Sequence, residues 1–192
     1  MLWDGNNTQN WQVQKGYNGI SYQTTLIDSS TRAQTAIEYE HHAIHAGDFY
    51  SMASFQDVGS GSSYNFYMKT PATAKYIHVY FDIGLEGEGH LCIFEDSTAT
   101  VWGETLIPVN HNRNSSNISG ATLTVNTSCN VLGACLYSLK GGSTKKIGGE
   151  SRGFGEFVLK PNIGYLFSIT EDSAAEKWMS MNLHWYEHID ES

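Results

Sequence analysis

Between Lys75 and Leu85 the chain alternates without a break. Ile77, Val79, Phe81, Ile83 and Leu85 fall on one face, and His78, Tyr80, Asp82 and Gly84 on the other. A helix would scatter those apolar positions around its axis, because it turns every 3.6 residues and not every two. The segment is therefore a strand that covers a core on one side. It sits inside a block, residues 35 to 96, in which a His-rich stretch, a Gly/Ser turn and this strand follow one another before an acidic stop. The block holds no recognisable catalytic apparatus, so the strongest signal in the chain is architectural.

The rest of the chain reads the same way. Further strands are predicted at 35–45, 48–55, 63–70, 89–96, 104–109, 121–126, 154–160, 163–170 and 179–187, with the alternating strand running 75–86. The separators are turn chemistry: Ala46-Gly47-Asp48, Gly59 to Ser63, Glu86 to Gly89, Asn110 to Gly120, Pro161-Asn162 and Glu171-Asp172. The stretches 112–117 and 141–155 read as the two long loops, and Ser173–Lys177 as a single helical turn. In 179–187, Met179, Met181, Leu183 and Trp185 alternate with polar residues, so this last strand closes the core. Short strands at regular spacing with Gly-rich turns predict an all-β fold, a single β-sandwich of jelly-roll type. Its expected core includes Ile77, Val79, Phe81, Ile83, Leu166, Met181, Leu183 and Trp185.

Residues 1–34 differ in composition. They are rich in Asn and Gln and poor in aliphatics, yet carry Trp3, Trp11, Tyr17 and Tyr22. Such a segment cannot build a private core, but large aromatics dominate interfaces. It reads as an extended N-terminal arm, with those four aromatics as its interaction residues, ahead of a sandwich domain spanning 35–192. The alternative is an additional edge strand on its own sheet.

Composition narrows the partners. With 192 residues and 40% apolar content the chain can bury one sizeable core. Charged residues are 16%, below the ~25% usual for soluble domains. A net charge of −9 with eleven basic residues, among which only Lys145 and Lys146 are adjacent, argues against nucleic acid as a partner. No apolar run approaches the ~18 residues of a membrane span, and the first residues lack a basic and apolar leader, so synthesis in the cytosol is expected. Matches to N-x-S/T at Asn6, Asn114, Asn117 and Asn126 then carry no weight. Cys92 reads as a buried thiol, while Cys129 and Cys135 leave a small disulfide loop open.

Catalytic constellations are weak. His41, His42 and His45, with Glu38 and Glu40, invite a cupin-like metal reading, but on a strand adjacent histidines point to opposite faces. Glu86/Glu88 and Glu95/Asp96 are carboxylate pairs of the kind glycosidases use, yet the first brackets a turn glycine. No G-x-S-x-G elbow occurs, and Gly153-Phe154-Gly155 opens a strand where a phosphate loop needs a helix. The expectation is no enzyme, no cofactor, no metal ligands and no catalytic residues. Aromatic side chains on a sandwich leave a carbohydrate-binding module of a tail or adhesin as the alternative.

Several segments together resemble one family. They are I-E-Y-E-H-H-A-I-H-A-G-D-F-Y, T-P-A-T-A-K-Y-I-H-V-Y-F-D-I, E-G-E-G-H-L-C-I-F-E-D, P-V-N-H-N-R-N-S-S-N, F-G-E-F-V-L-K-P-N-I-G-Y-L-F-S-I-T and the terminal W-Y-E-H. Over roughly residues 35 to 190 the chain resembles the head decoration, or cement, proteins of tailed phages. The resemblance implies a jelly-roll subunit that binds the outside of an assembled capsid and stabilises it. The implied partners are the major capsid protein and further copies of the chain as a dimer or trimer, and the implied location is the virion exterior. The family has no catalytic residues to carry over.

Overall fold

The computed structural model describes residues 39–142 and 156–189. The chain divides into two units, Met1–His41 and His42–Ser192, and all the strands belong to the second. The elements are helix α1 (Tyr39–Ala46) and strands β1 (Phe49–Val58), β2 (Ser63–Lys69), β3 (Lys75–Leu85), β4 (Gly89–Glu95), β5 (Thr98–Val101), β6 (Glu104–Leu106), β7 (Val109–Asn110), β8 (Thr122–Val125), β9 (Ser128–Val131), β10 (Ala134–Gly141), β11 (Phe157–Leu159), β12 (Gly164–Glu171) and β13 (Lys177–Ile189).

Two sheets form the sandwich. One has the order β11-β3-β13-β1-β7, the other β10-β4-β12-β2-β8-β6, and β5-β9 make a separate ribbon. The first four strands pair antiparallel with the last four in reverse order: β1 with β13, β2 with β12, β3 with β11 and β4 with β10. Consecutive strands in each set of four alternate between the sheets. This is one long hairpin rolled up, and the roll is sealed where β13 meets β3 and β12 meets β4. The topology is that of a jelly roll, as the strand spacing predicts.

The core lies between the sheets. Ile77, Val79, Met181 and Leu183 face Phe66 and Phe167 across it, all essentially inaccessible to water. Phe81 sits partly buried at its margin against Phe167 and Tyr137. His78 and Tyr80 point out of the opposite face, as the alternation requires. Trp185 is fully buried, stacks on Tyr50 at 5.9 Å, and donates its indole N–H toward Ser119 Oγ and Glu187 Oε1. Glu187 in turn accepts from the Ser119 hydroxyl at 2.6 Å and the Gly120 amide at 3.0 Å. The long loop after β7 is thereby pinned to the closing strand.

Four expectations change. The segment expected as a strand at 35–45 is helical from Tyr39 to Ala46, with residues 35–38 outside the described residues. Its apolar residues lack period two, and it ends in a Schellman cap. Gly47, at φ +77°, donates to the Ile44 carbonyl, and Asp48 to that of Ala43. Second, Ser173–Lys177 is not a helical turn. Ser173 spends its amide on Glu171 Oε1 and its hydroxyl on the Ala175 carbonyl, giving a bend between two strands.

Third, Leu166 is buried, but on the outer face of β12. Its neighbours Tyr165 and Phe167 are the ones that enter the core. A run of apolar residues hides which parity points inward. Fourth, the strand expected at 104–109 is two strands in different sheets. Ile107-Pro108 separates them, and proline cannot donate to a ladder. β5, β9 and β10 have no counterpart among the predicted strands. Of the second predicted loop, 141–155, Gly141 ends β10 and 143–155 lie outside the described residues.

Replacing Trp185 with alanine removes the largest buried side chain among the described residues and one of the donors to Glu187. The expected loss is about 3–5 kcal/mol of unfolding free energy, read by urea denaturation of the purified protein. A loss below about 1 kcal/mol would show that the closing strand is not what holds the sandwich together.

Candidate functional site

The two outer faces of the sandwich differ in chemistry. On the six-stranded sheet the cross-strand register assembles a small lattice. Thr170 of β12 lies between Ser63 of β2 and His90 of β4, and Ser168 lies between Asn65 and Cys92. Leu166 lies beside Phe94. The chain between Thr127 and Leu132, which includes β9, comes over this face. Its residues Ser128, Cys129 and Leu132 wall a groove of about 410 Å³ above that lattice.

The groove grades from polar to apolar. At one end the Ser63 and Thr170 hydroxyls share a hydrogen bond of 2.8 Å. Asp172 accepts from His90 Nδ1 at 2.9 Å and pairs with Lys140 at 3.5 Å. The Nδ1–H of His90 is thereby committed to the carboxylate. In the middle, Asn65 donates to the Thr127 carbonyl at 3.3 Å, while its Oδ1 is buried without a hydrogen-bond partner among the described residues. At the far end Leu166, Leu132 and half-buried Phe94 are apolar.

The outer face of the five-stranded sheet gathers imidazoles and phenols. His188 Nε2 lies 2.6 Å from His78 Nε2, and the Nδ1 side of His78 meets Glu156, which also accepts from the Tyr186 hydroxyl. The tautomers that satisfy this chain have His188 donating to His78 and His78 donating to Glu156. Tyr80 stacks on His184 at 5.2 Å, and His111 bonds Ser51 Oγ at 2.8 Å. Ala43 of α1 is buried with Phe49 and Tyr186, with Ile44 and Tyr80 packed around them.

Trp3, Trp11, Tyr17 and Tyr22 lie outside the described residues, as does Glu38. His41, His42 and His45 sit on helix α1, so His41 and His45 are one helical turn apart and the argument from strand parity does not apply to them. Among the described residues no three His, Cys, Asp or Glu side chains converge to hold a metal ion. One member of each carboxylate pair is held by a neighbour. Glu86 accepts from the Trp178 amide and lies 3.8 Å from Lys177, whereas Glu95 accepts from Lys160 at 2.7 Å and from the Tyr165 hydroxyl at 2.9 Å. Cys92, Cys129 and Cys135 are all free thiols. The groove was missed in sequence because its residues come from strands a hundred positions apart. The one available signal was the Ser168/Thr170 polar parity of β12.

Comparison with protein-family models, with curated proteins and with solved structures yields no match.

Two carboxylates respond to acid. The hydrogen bond from His90 holds the Asp172 carboxyl below the usual aspartate range, and the hydrogen bond from Lys160 does the same for Glu95. A carboxylate whose pKa falls on folding stabilises the fold above its unfolded value of about 4. That stability is lost as pH drops through the lower folded value. The Asp172→Asn/Glu95→Gln variant is therefore expected to show a flatter fall of Tm between about pH 5 and pH 3 than the parent. An unchanged acid limb would show that neither pair contributes.

Proposed function

We propose that this chain is a structural virion protein that binds the outside of an assembled phage capsid and stabilises it. Its partners are the major capsid protein and further copies of itself, and its task is adhesion, not catalysis. The observation that carries this reading is the distribution of exposed apolar side chains. Val101 and Trp102 at the end of β5, Val131 and Leu132 at the end of β9, and Leu136 and Leu139 on edge strand β10 are exposed close together in the chain order of the ribbon and the strand that follows it. Phe55, Ile107 and Ile118 are exposed elsewhere on the surface. Trp102 is 58% exposed, yet its ring is set by an edge contact with buried Tyr67 at 5.4 Å. A rigid aromatic anchor loses little freedom on docking. A compact jelly roll with a sparsely charged surface suits dense packing on a shell, and many copies make modest single contacts sufficient. Trp3, Trp11, Tyr17 and Tyr22 supply a second set of anchors toward a neighbouring copy.

The test is co-sedimentation with expanded capsids, together with copy number in purified virions by mass spectrometry. Hundreds of copies and a raised capsid melting temperature are expected. Trp102→Ser and Leu136→Ser should each weaken binding by roughly thirtyfold if they are hot spots worth about 2 kcal/mol, with little change in monomer stability. Deleting residues 1–30 should leave a folded sandwich that assembles or binds capsids less well. Absence from virions, or a handful of copies with no capsid binding, would overturn the reading.

A further inference from the structure

We infer that the groove on the outer face of the six-stranded sheet is a binding site for a neutral saccharide, taking a mono- or disaccharide unit. The site comprises the floor and inner wall of the groove, which share only Leu132 with the apolar set assigned to capsid contact.

Three observations select this ligand class. The first is the polar complement. Ser63, Ser168 and Thr170 each carry a hydroxyl that both donates and accepts, and the His90 ring lines the same end. Since Ser63 and Thr170 share a single hydrogen bond, the accepting hydroxyl of the two keeps its own proton for a ligand. Sugar hydroxyls are themselves donors and acceptors, and match such a row without any net charge. The second is the apolar end, where Phe94 and Leu166 lie side by side across β4 and β12 and offer a surface to the C–H face of a pyranose ring. The third is size. At about 410 Å³ the groove falls within the ~300–1,000 Å³ range of small-molecule sites.

The same observations disfavour other occupants. An anion would meet Asp172 at the polar end, where His90 and Lys140 are already engaged by that carboxylate. An extended peptide recognises a sheet by adding a strand to a free edge. The floor strands β2, β12 and β4 are each paired on both sides, so no main-chain edge is available. A wholly apolar ligand would strand the hydroxyl row without partners.

The experiment uses the full chain without capsids. Saturation-transfer NMR and calorimetry would be run against glucose, galactose, mannose, N-acetylglucosamine, maltose and lactose, with glucuronate and sulfate as charged probes. Saturable binding of at least one neutral sugar is expected. Ser168→Trp, which fills the floor, should weaken it at least tenfold, with Tm and circular dichroism reporting on folding. An independent readout is the Cys92 thiol, which lines the groove. In a Cys135→Ser background the binding sugar should slow the labelling of Cys92, and of Cys129 in the wall, by a small maleimide severalfold, so the site is tested even if the Trp variant does not fold. No neutral sugar bound, binding of only glucuronate or sulfate, or sugar binding that neither Ser168→Trp nor Cys92 labelling registers would each overturn the proposal.

Discussion

Everything in the second unit depends on β13 being inserted between β1 and β3. It pairs with β1 from Phe49 to Val58 and with β3 from Lys75 to Leu85, so the central strand of the five-stranded sheet is the last strand in the chain. Backbone groups buried in a sheet must be paired. Until β13 arrives, β1 and β3 present open edges to each other across a gap one strand wide. The same strand delivers Met179, Met181, Leu183 and Trp185 to the core, and Glu187 to the loop after β7. Closure of the sheet, filling of the core and anchoring of that loop are one event.

Once the roll is sealed, its two faces are free to differ. A sandwich needs only one side of each sheet for its core, so the other parity of every strand is available for chemistry. On β3 and β13 that parity carries His78, Tyr80, Asp82, His184 and His188, which join residues from β1 and the loop after β7 in a layer of imidazoles and phenols. On β2, β12 and β4 it carries hydroxyls, an amide and a thiol, ending in Leu166 and Phe94. The β5–β9 ribbon adds depth to the second face. It converts what would be a flat sheet into a groove, and turns Val101 and Trp102 outward.

Strand parity explains most of what could be read in advance, and also where reading stopped. The alternation at 75–85 and 179–187 placed Ile77, Val79, Met181 and Trp185 inside because each apolar residue there has polar neighbours. In β12, Tyr165-Leu166-Phe167 is apolar at both parities, since one face meets the core and the other lies under the ribbon wall, so the run predicts burial of Leu166 but not its face. At 39–46 the mixture of Ala, Glu and His carries no period. There the Gly47 cap, supplying a positive φ and two closing hydrogen bonds, was the local sign of a helix end.

By itself the sequence determined the all-β class, most of the turns and the inward parity of the two longest strands. These are local properties, set by side-chain alternation and turn chemistry within a few residues. Only the tertiary structure decided which strands are neighbours, and with that every surface feature. Ser63, His90 and Thr170 meet because β12 lies between β2 and β4, and His78 meets His188 because β13 lies beside β3. The physical reason is that sheet pairing is non-local. Backbone hydrogen bonds join strands regardless of their separation in the chain, and that separation leaves no local trace.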